Sequence, residues 1–499
     1  MAGIDRLAQR APVLLAVLSG ALTTLAYAPF NLWPFALLGP LGLFLIWQRR
    51  GGADFRTGFG YGFGLLGSGV SWLYVSIAQF GDLGWLFPLF LTLSFILLMA
   101  LYYGALGWWA GRFSRLPESL RFLLVYPTLW VVVEWLRGWF LTGFPWLQLG
   151  YSQIDTPLSG YAPVLGVLGA SWAVMLSVGL LWAVISLPRK RLLYALSMAV
   201  LWLGGGLLGL ISWSQPIGEP LRVALIQGNI PQAEKWLPEQ LAPSLVRYAK
   251  MTRDELDGDL VVWPETAVSA FQHQVEEAFI TPLETTVRNR GSHLVFGVVQ
   301  MDEKRERYYN ALVALGNEQR DRYYKGHLVP FTEYLPWATL FRPLVDLFTL
   351  PMSDFSARQE EKPLMQVGPY AVGMSICYED AFGNEMIQAL PEATYLINVS
   401  NDAWFGDSLA PRQHLQIARM RARETARYLL RATNTGISAI VAPDGHLQET
   451  APLLEQAVVK GSIQPMQGMT PYARFGNLPL LLMLTAVVVA SLIRKAHNP

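Results

Sequence analysis

The chain has 499 residues, of which 52% are hydrophobic and 15% charged, with a formal net charge of +1 and a single cysteine. A soluble domain carries about 25% charged residues, so much of this surface is not built for water. The charge balance gives no footing to a nucleic-acid partner, and one cysteine excludes an intrachain disulfide.

Apolar runs fill residues 11–212, at 12–28, 32–47, 58–77, 83–110, 122–140, 162–187 and 192–212, and an eighth lies at 478–493. Most approach or exceed the roughly 20 residues that a helix needs to cross a bilayer. The 18 tryptophans suit the two interfaces of such a layer. Arg6 and Arg10 precede the first run, and Ala26-Tyr27-Ala28 resembles a signal cleavage site. Pro29 follows directly and further runs continue, so the segment reads as a retained helix. Basic residues recur in alternate loops: Arg49, Arg50 and Arg56; Arg112, Arg115 and Arg121; Arg189, Lys190 and Arg191; then Arg494 and Lys495 at the end. Loops between them, such as Gln79-Phe80-Gly81-Asp82, nearly lack basic residues. By the positive-inside rule both termini are expected in the cytoplasm. The long segment between the seventh and eighth runs is then expected outside, in the periplasm of a bacterial inner-membrane protein. Glu134 and Arg137, three apart in the fifth run, are expected to form an ion pair, although charges inside membranes are often functional.

From residue 221 to about 466 the composition is that of a soluble domain. We divide the chain into a membrane domain over 1–217, a catalytic domain over 218–467, and a last helix with its tail over 468–499. Short β-rich runs recur in the middle segment: RVALIQ, DLVVWPE, HLVFGVV, ALVAL, YAVGMSI, TYLINVS, SAIVAP and AVVKGSI. Helical patterns at 238–255 and 411–431 alternate with them, which argues for an α/β domain with buried, near-continuous apolar strands. Arg419, Arg423, Arg427 and Arg431 fall on one face of the expected 411–431 helix. Like charges at that spacing repel, so partners are expected, carboxylates such as Glu424 ahead of lipid phosphate.

The lone cysteine sits in Ser375-Ile376-Cys377-Tyr378-Glu379-Asp380, at the end of an apolar run. Glu265 follows another run in VVWPE, and Lys325 and Glu333 lie on the stretch RYYKGHLVPFTE. In layered α/β folds reactive groups gather at strand ends. A carboxylate, an ammonium and a thiol so placed are the parts of an activated cysteine. The ammonium is expected to lower the thiol pKa from its free value near 8.5, while the carboxylate takes the proton. The ammonium and a backbone N–H just after the cysteine can hold an oxyanion. A buried cysteine is usually a small hydrophobe, and Glu265 or Lys325 alone would read as a surface charge. The ordered combination is the signal.

These motifs resemble the nitrilase, or carbon–nitrogen hydrolase, superfamily: Trp263-Pro264-Glu265-Thr266, the stretch 323–333, and Cys377-Tyr378-Glu379-Asp380. Asn398-Val399-Ser400-Asn401-Asp402-Ala403-Trp404-Phe405-Gly406, the stretch 431–438 and TGFPWLQLGYSQ at 142–153 resemble one branch of it, the apolipoprotein N-acyltransferases. The resemblance covers nearly the whole chain. It implies an αββα sandwich beside about eight membrane helices, with Glu265 as general base, Lys325 as oxyanion and thiolate stabiliser, and Cys377 as nucleophile. Glu333 would orient Lys325, Tyr378 would supply an oxyanion N–H, and Glu379 and Trp236 match positions the family needs. Thr332 departs from the glycine common before the glutamate, which bears on how Glu333 is placed. The implied reaction moves an acyl chain from a membrane phospholipid, phosphatidylethanolamine by resemblance, through a thioester to the α-amino group of a diacylglyceryl-cysteine apolipoprotein. No cofactor or metal is implied. A thioester needs protection from water, and the apolar stretch 341–352 with Trp404 and Phe405 is the candidate lid, core packing being the equal alternative for them. Two rivals stay open: a membrane-tethered amidase that ends with water, and a transporter with an outer binding domain, against which the runs carry few ionisable groups.

Overall fold

A computed structural model describes residues 9–79, 84–302, 306–339, 354–358 and 362–497. The stretch 341–352 lies outside these residues. Two compact units emerge, one holding the helices up to Ile211 and from Phe475 onward, the other Ser212–Arg474.

In the first unit, helices occupy the places of all eight apolar runs. Among the described residues five are long and apolar enough to cross a membrane: Leu86–Gly111, Glu118–Arg137, Pro157–Ser186, Pro188–Gly209 and Leu478–His497. Pro12–Ala26 and Phe35–Arg49 are shorter apolar helices. The expected run over 58–77 is broken into Phe55–Gly69 and Leu73–Ala78. Val200, Leu203 and Leu207 stand about two-thirds exposed along one helix, a surface that water would disfavour by about 25 cal/mol for each Å² and that lipid accepts. Glu134 and Arg137 do not form the expected pair but turn to separate partners. Glu134 Oε1 accepts from Trp130 Nε1 and Leu149 N, both at 3.0 Å, and Arg137 Nη1 donates to Phe144 O at 2.8 Å and Trp146 O at 2.6 Å.

The second unit is a four-layer αββα sandwich. One sheet runs, in spatial order, Ala457–Ile463, Leu221–Gln227, Leu260–Val262, His293–Asp302, Arg307–Leu315 and Asp321–Tyr324, with Val268–Phe271 also paired to His293–Asp302. The other runs Leu447–Thr450, Ala439–Val441, Leu429–Thr433, Leu396–Ser400, Tyr370–Ile376 and Leu364–Val367. Period-two alternation explains the layers. Val223 and Leu225 join Met374, Ile376, Ile397 and Val399 between the sheets. The intervening Ala224 and Ile226 pack with Leu245, Tyr248 and Val287 of the outer helices Pro238–Arg253 and Thr281–Asn289. Behind the other sheet, Leu396 and Leu429 meet Leu415, Ala418 and Ala422 of helix Ala410–Thr425. Ser214–Pro216 pairs antiparallel with Met466–Gly468, so the two ends of the unit lie side by side.

The four arginines are not one helical stripe. The helix stops at Thr425 because Ala426 turns left-handed, at φ 51°, and Arg431 falls on the strand Leu429–Thr433. Arg419 and Arg423 donate to the carbonyls of Gly445 and Asp444, and Arg427 to those of Ala393 and Gly468. Glu424 faces Arg421 at 3.0 Å instead.

Candidate active site

Three strand ends deliver the three candidate groups. Leu260–Val262 leads through Trp263-Pro264 to Glu265, Asp321–Tyr324 runs straight into Lys325, and Tyr370–Ile376 ends at Cys377. Cys377 sits at φ 53° and opens the 3-10 turn Cys377–Ala381. The left-handed φ turns the chain off the strand, a conformation that a non-glycine residue keeps only when its surroundings enforce it.

Lys325 is fully buried, and its Nζ lies 2.8 Å from Glu333 Oε1 and 3.6 Å from Glu265 Oε1. Burial alone would push its pKa down, but the carboxylates of Glu333 and Glu265 hold it well above the usual lysine range. Glu333 is steadied by the Val329 N–H on Oε2 at 2.8 Å, so Thr332 has not displaced it from Lys325. Glu265 Oε1 accepts from Asn310 Nδ2 at 2.7 Å and Oε2 from the Asn401 N–H at 2.9 Å. The charges of Glu265, Lys325 and Asp402 all act on the Cys377 thiol, which is buried although the residue as a whole is partly exposed.

The thiol departs from expectation. Burial and then the Glu265 carboxylate push its pKa up, and Lys325 offsets only part of that rise.

Glu379 belongs to the site as a clamp. Its Oε1 accepts from the N–H groups of Gly326 at 2.6 Å and His327 at 3.0 Å, and its Oε2 from the Ile376 N–H at 2.7 Å and the Tyr323 hydroxyl at 2.8 Å. One carboxylate thus ties the backbone before Cys377 to the backbone after Lys325. Burial raises its pKa against the pull of those donors. The Tyr378 ring stands edge-on to Phe382, with centroids 4.9 Å apart. Trp236 is 52% exposed, one residue from Lys235, whose buried Nζ donates to Glu265 O at 3.1 Å. Burial lowers the Lys235 pKa to about 8. Trp404 and Phe405 are half-buried on the turn Ala403–Phe405, which follows the left-handed Asp402. Among the described residues no cluster has the donors for a metal ion.

Sequence reasoning missed Asn310, Tyr323 and Lys235. Asn310 had a faint signal, a lone amide inside the strand run YYNALVAL.

Comparison with known proteins decides the family. Residues 19–180 match the apolipoprotein N-acyltransferase N-terminal domain, and residues 222–471 match the carbon-nitrogen hydrolase family. The apolipoprotein N-acyltransferase of Methylococcus capsulatus is 43% identical over 491 residues, 97% of each chain. The chain belongs to the apolipoprotein N-acyltransferase family. Members from Nitrosomonas europaea and Photobacterium profundum are each 40% identical, over 94% of this chain and 95% and 92% of their own. Membership accounts for both units at once, since the two matched regions fall one on each. Within this N-acyltransferase family the chain's motifs at Glu265, Lys325 and Cys377 lie inside the matched carbon-nitrogen hydrolase region.

Proposed function

We propose that the protein is an N-acyltransferase that completes lipoproteins, moving a fatty acyl chain from a membrane phospholipid, phosphatidylethanolamine, through a Cys377 thioester to the α-amino group of a diacylglyceryl-cysteine. In the first half, Glu265 takes the thiol proton as Cys377 Sγ attacks the donor's ester carbonyl carbon. Lys325 Nζ and the Tyr378 N–H hold the oxyanion. Collapse breaks the C–O bond, the lysophospholipid oxygen recovers the proton from Glu265, and the acyl group stays on sulfur. In the second half, the amine attacks the thioester carbon and passes a proton to Glu265. The C–S bond then breaks, and the leaving sulfur recovers that proton. An amide is formed and the resting enzyme returns.

The observation that carries this reading is the meeting of Glu265 and Lys325 at 3.6 Å, with the chain's sole cysteine at the end of a third strand. A raised thiol needs its base at the moment of attack, which suits a carboxylate poised there. Glu333 orients Lys325, Glu379 holds the two reactive backbones in register, and Trp236, Trp404 and Phe405 flank the lipid path. Both lipid substrates live in a membrane, and the basic loops favour cytoplasmic termini with the sandwich unit on the periplasmic face of the inner membrane.

The test is turnover of purified enzyme with phosphatidylethanolamine and a diacylglyceryl-cysteine peptide, read by mass spectrometry. We expect N-acylated peptide and lysophospholipid in equal amounts, and none from Cys377→Ser. Free fatty acid in place of acylated peptide would move the reading to a hydrolase of the same superfamily.

A further inference from the structure

Behind Cys377 lies a set of charges that no step above uses. Asp380, Asp402, His414 and Arg431 are all buried, each side chain at 2% exposure or less. They close a ring. His414 Nε2 lies 2.9 Å from Asp380 Oδ1 and its Nδ1 lies 3.1 Å from Asp402 Oδ1. Arg431 Nη2 donates to Asp402 Oδ2 at 2.8 Å and Nη1 to Asp380 Oδ2 at 3.3 Å. The members come from the nucleophile's own turn, the turn at Asp402, helix Ala410–Thr425 and strand Leu429–Thr433.

Both imidazole nitrogens face carboxylate oxygens, which only accept. A neutral ring would aim one lone pair at a carboxylate, so the imidazolium is the form that satisfies both contacts. Two anions then meet two cations and the ring is neutral. Its reach to the reactive turn is direct. Arg431 Nη1 donates to Asn398 Oδ1, and Asn398 Nδ2 donates to Cys377 O at 3.3 Å and Ser375 Oγ at 2.9 Å. Asp380 lies on the same turn as Cys377, and Asp402, left-handed at φ 50°, raises the Cys377 thiol through its charge.

We propose that His414 is a positioning residue for acyl transfer, a buried imidazolium that balances Asp380 and Asp402 so that Glu265 and Lys325 govern the field at Cys377. The inference extends the reading of Cys377 as nucleophile but is tested without any acyl transfer. The charged groups facing His414 include Asp380, Asp402 and Arg431. Burial and Arg431 push its pKa down, yet the two aspartates raise it to about 9.

Because Cys377 is the only thiol, its alkylation by iodoacetamide in the detergent-solubilised full chain reports the local field. Below the thiol pKa the rate should climb tenfold for each pH unit. In the wild type we expect that climb to flatten near pH 9, as His414 loses its proton and the ring turns anionic. His414→Gln should alkylate about tenfold more slowly at pH 8, a thiol pKa about one unit higher. Asp402→Asn combined with His414→Gln restores charge balance, and should recover the wild-type rate at pH 8 and climb without a break through pH 9. Unfolding would expose the thiol and speed alkylation, the opposite sign. A wild-type profile that is straight through pH 9, or a double variant no faster than His414→Gln, overturns the proposal. A wild-type chain that shows this alkylation pattern but makes no acylated peptide would count against the nucleophile reading alone.

Discussion

In the helical unit, backbones meet where side chains are missing. A Cβ built on Gly64 would stand 1.9 Å from Val17 O, one on Gly20 2.0 Å from Tyr61 O, and one on Gly58 2.2 Å from Tyr103 O. In the sandwich unit the site is set by charge: Lys325 between Glu265 and Glu333, the Glu379 clamp, and the ring around His414. The contrast follows from the solvent each unit answers to. Lipid gives helices no hydrophobic reason to associate, so close shape fit must hold them. A watery domain can bury charges, but each buried charge demands a partner, and losing one is costly. The first unit should therefore be sensitive to added volume, and the second to altered charge.

The largest expected effect is at the thiol. Cys377→Ala should lower acyl transfer by about 10³-fold or more while thermal unfolding stays near wild type, read by product mass and by tryptophan fluorescence. Glu265→Gln keeps the shape but removes the proposed base, and should slow acylation by about 10²–10⁴-fold. Single-turnover acylation measures that step. Glu333→Gln should cost less, about tenfold, since Lys325 keeps Glu265 as a charge partner.

Volume is the matching probe of the helices. Gly64→Val drives a side chain into the Val17 carbonyl and should cost about 1–3 kcal/mol. Gly67, on the same helix, has nothing within 4 Å of a built Cβ, so Gly67→Ala should be neutral or slightly stabilising. Melting temperatures in one detergent compare the two directly. A Gly64→Val protein as stable as Gly67→Ala would break the contrast.

The smallest effect is the pH dependence of folding. The folded-state pKa of His414 is raised from 6.5 to about 9, so its contribution is complete below about 6.5 and is lost as pH rises through about 9. Melting temperature should fall over that window in the wild type and fall less in His414→Gln.

The strands carrying Glu265 and Cys377 were legible because each is a continuous apolar run that stops at a charge or a thiol. The helical runs were legible for the same reason, continuous apolarity, although Phe55–Gly69 and Leu73–Ala78 read as one. The end of helix Ala410–Thr425 was not legible. Its left-handed cap is Ala426, where glycine would have marked the stop, and Arg431 was misread with it. The His414 ring and the Asn310 contact to Glu265 join positions far apart in sequence, which no local pattern encodes. The sign of the Cys377 shift was equally hidden, because it depends on burial and on how closely Glu265 and Lys325 each approach the sulfur.

The most direct test of the account is the intact mass of the full chain, purified from membranes, before and after neutral hydroxylamine. We predict a fatty-acyl adduct that maps to Cys377, is released by hydroxylamine, and is discharged to an amide by a diacylglyceryl-cysteine peptide. An unmodified chain, even after incubation with phosphatidylethanolamine and no acceptor, would contradict the thioester on which the account rests.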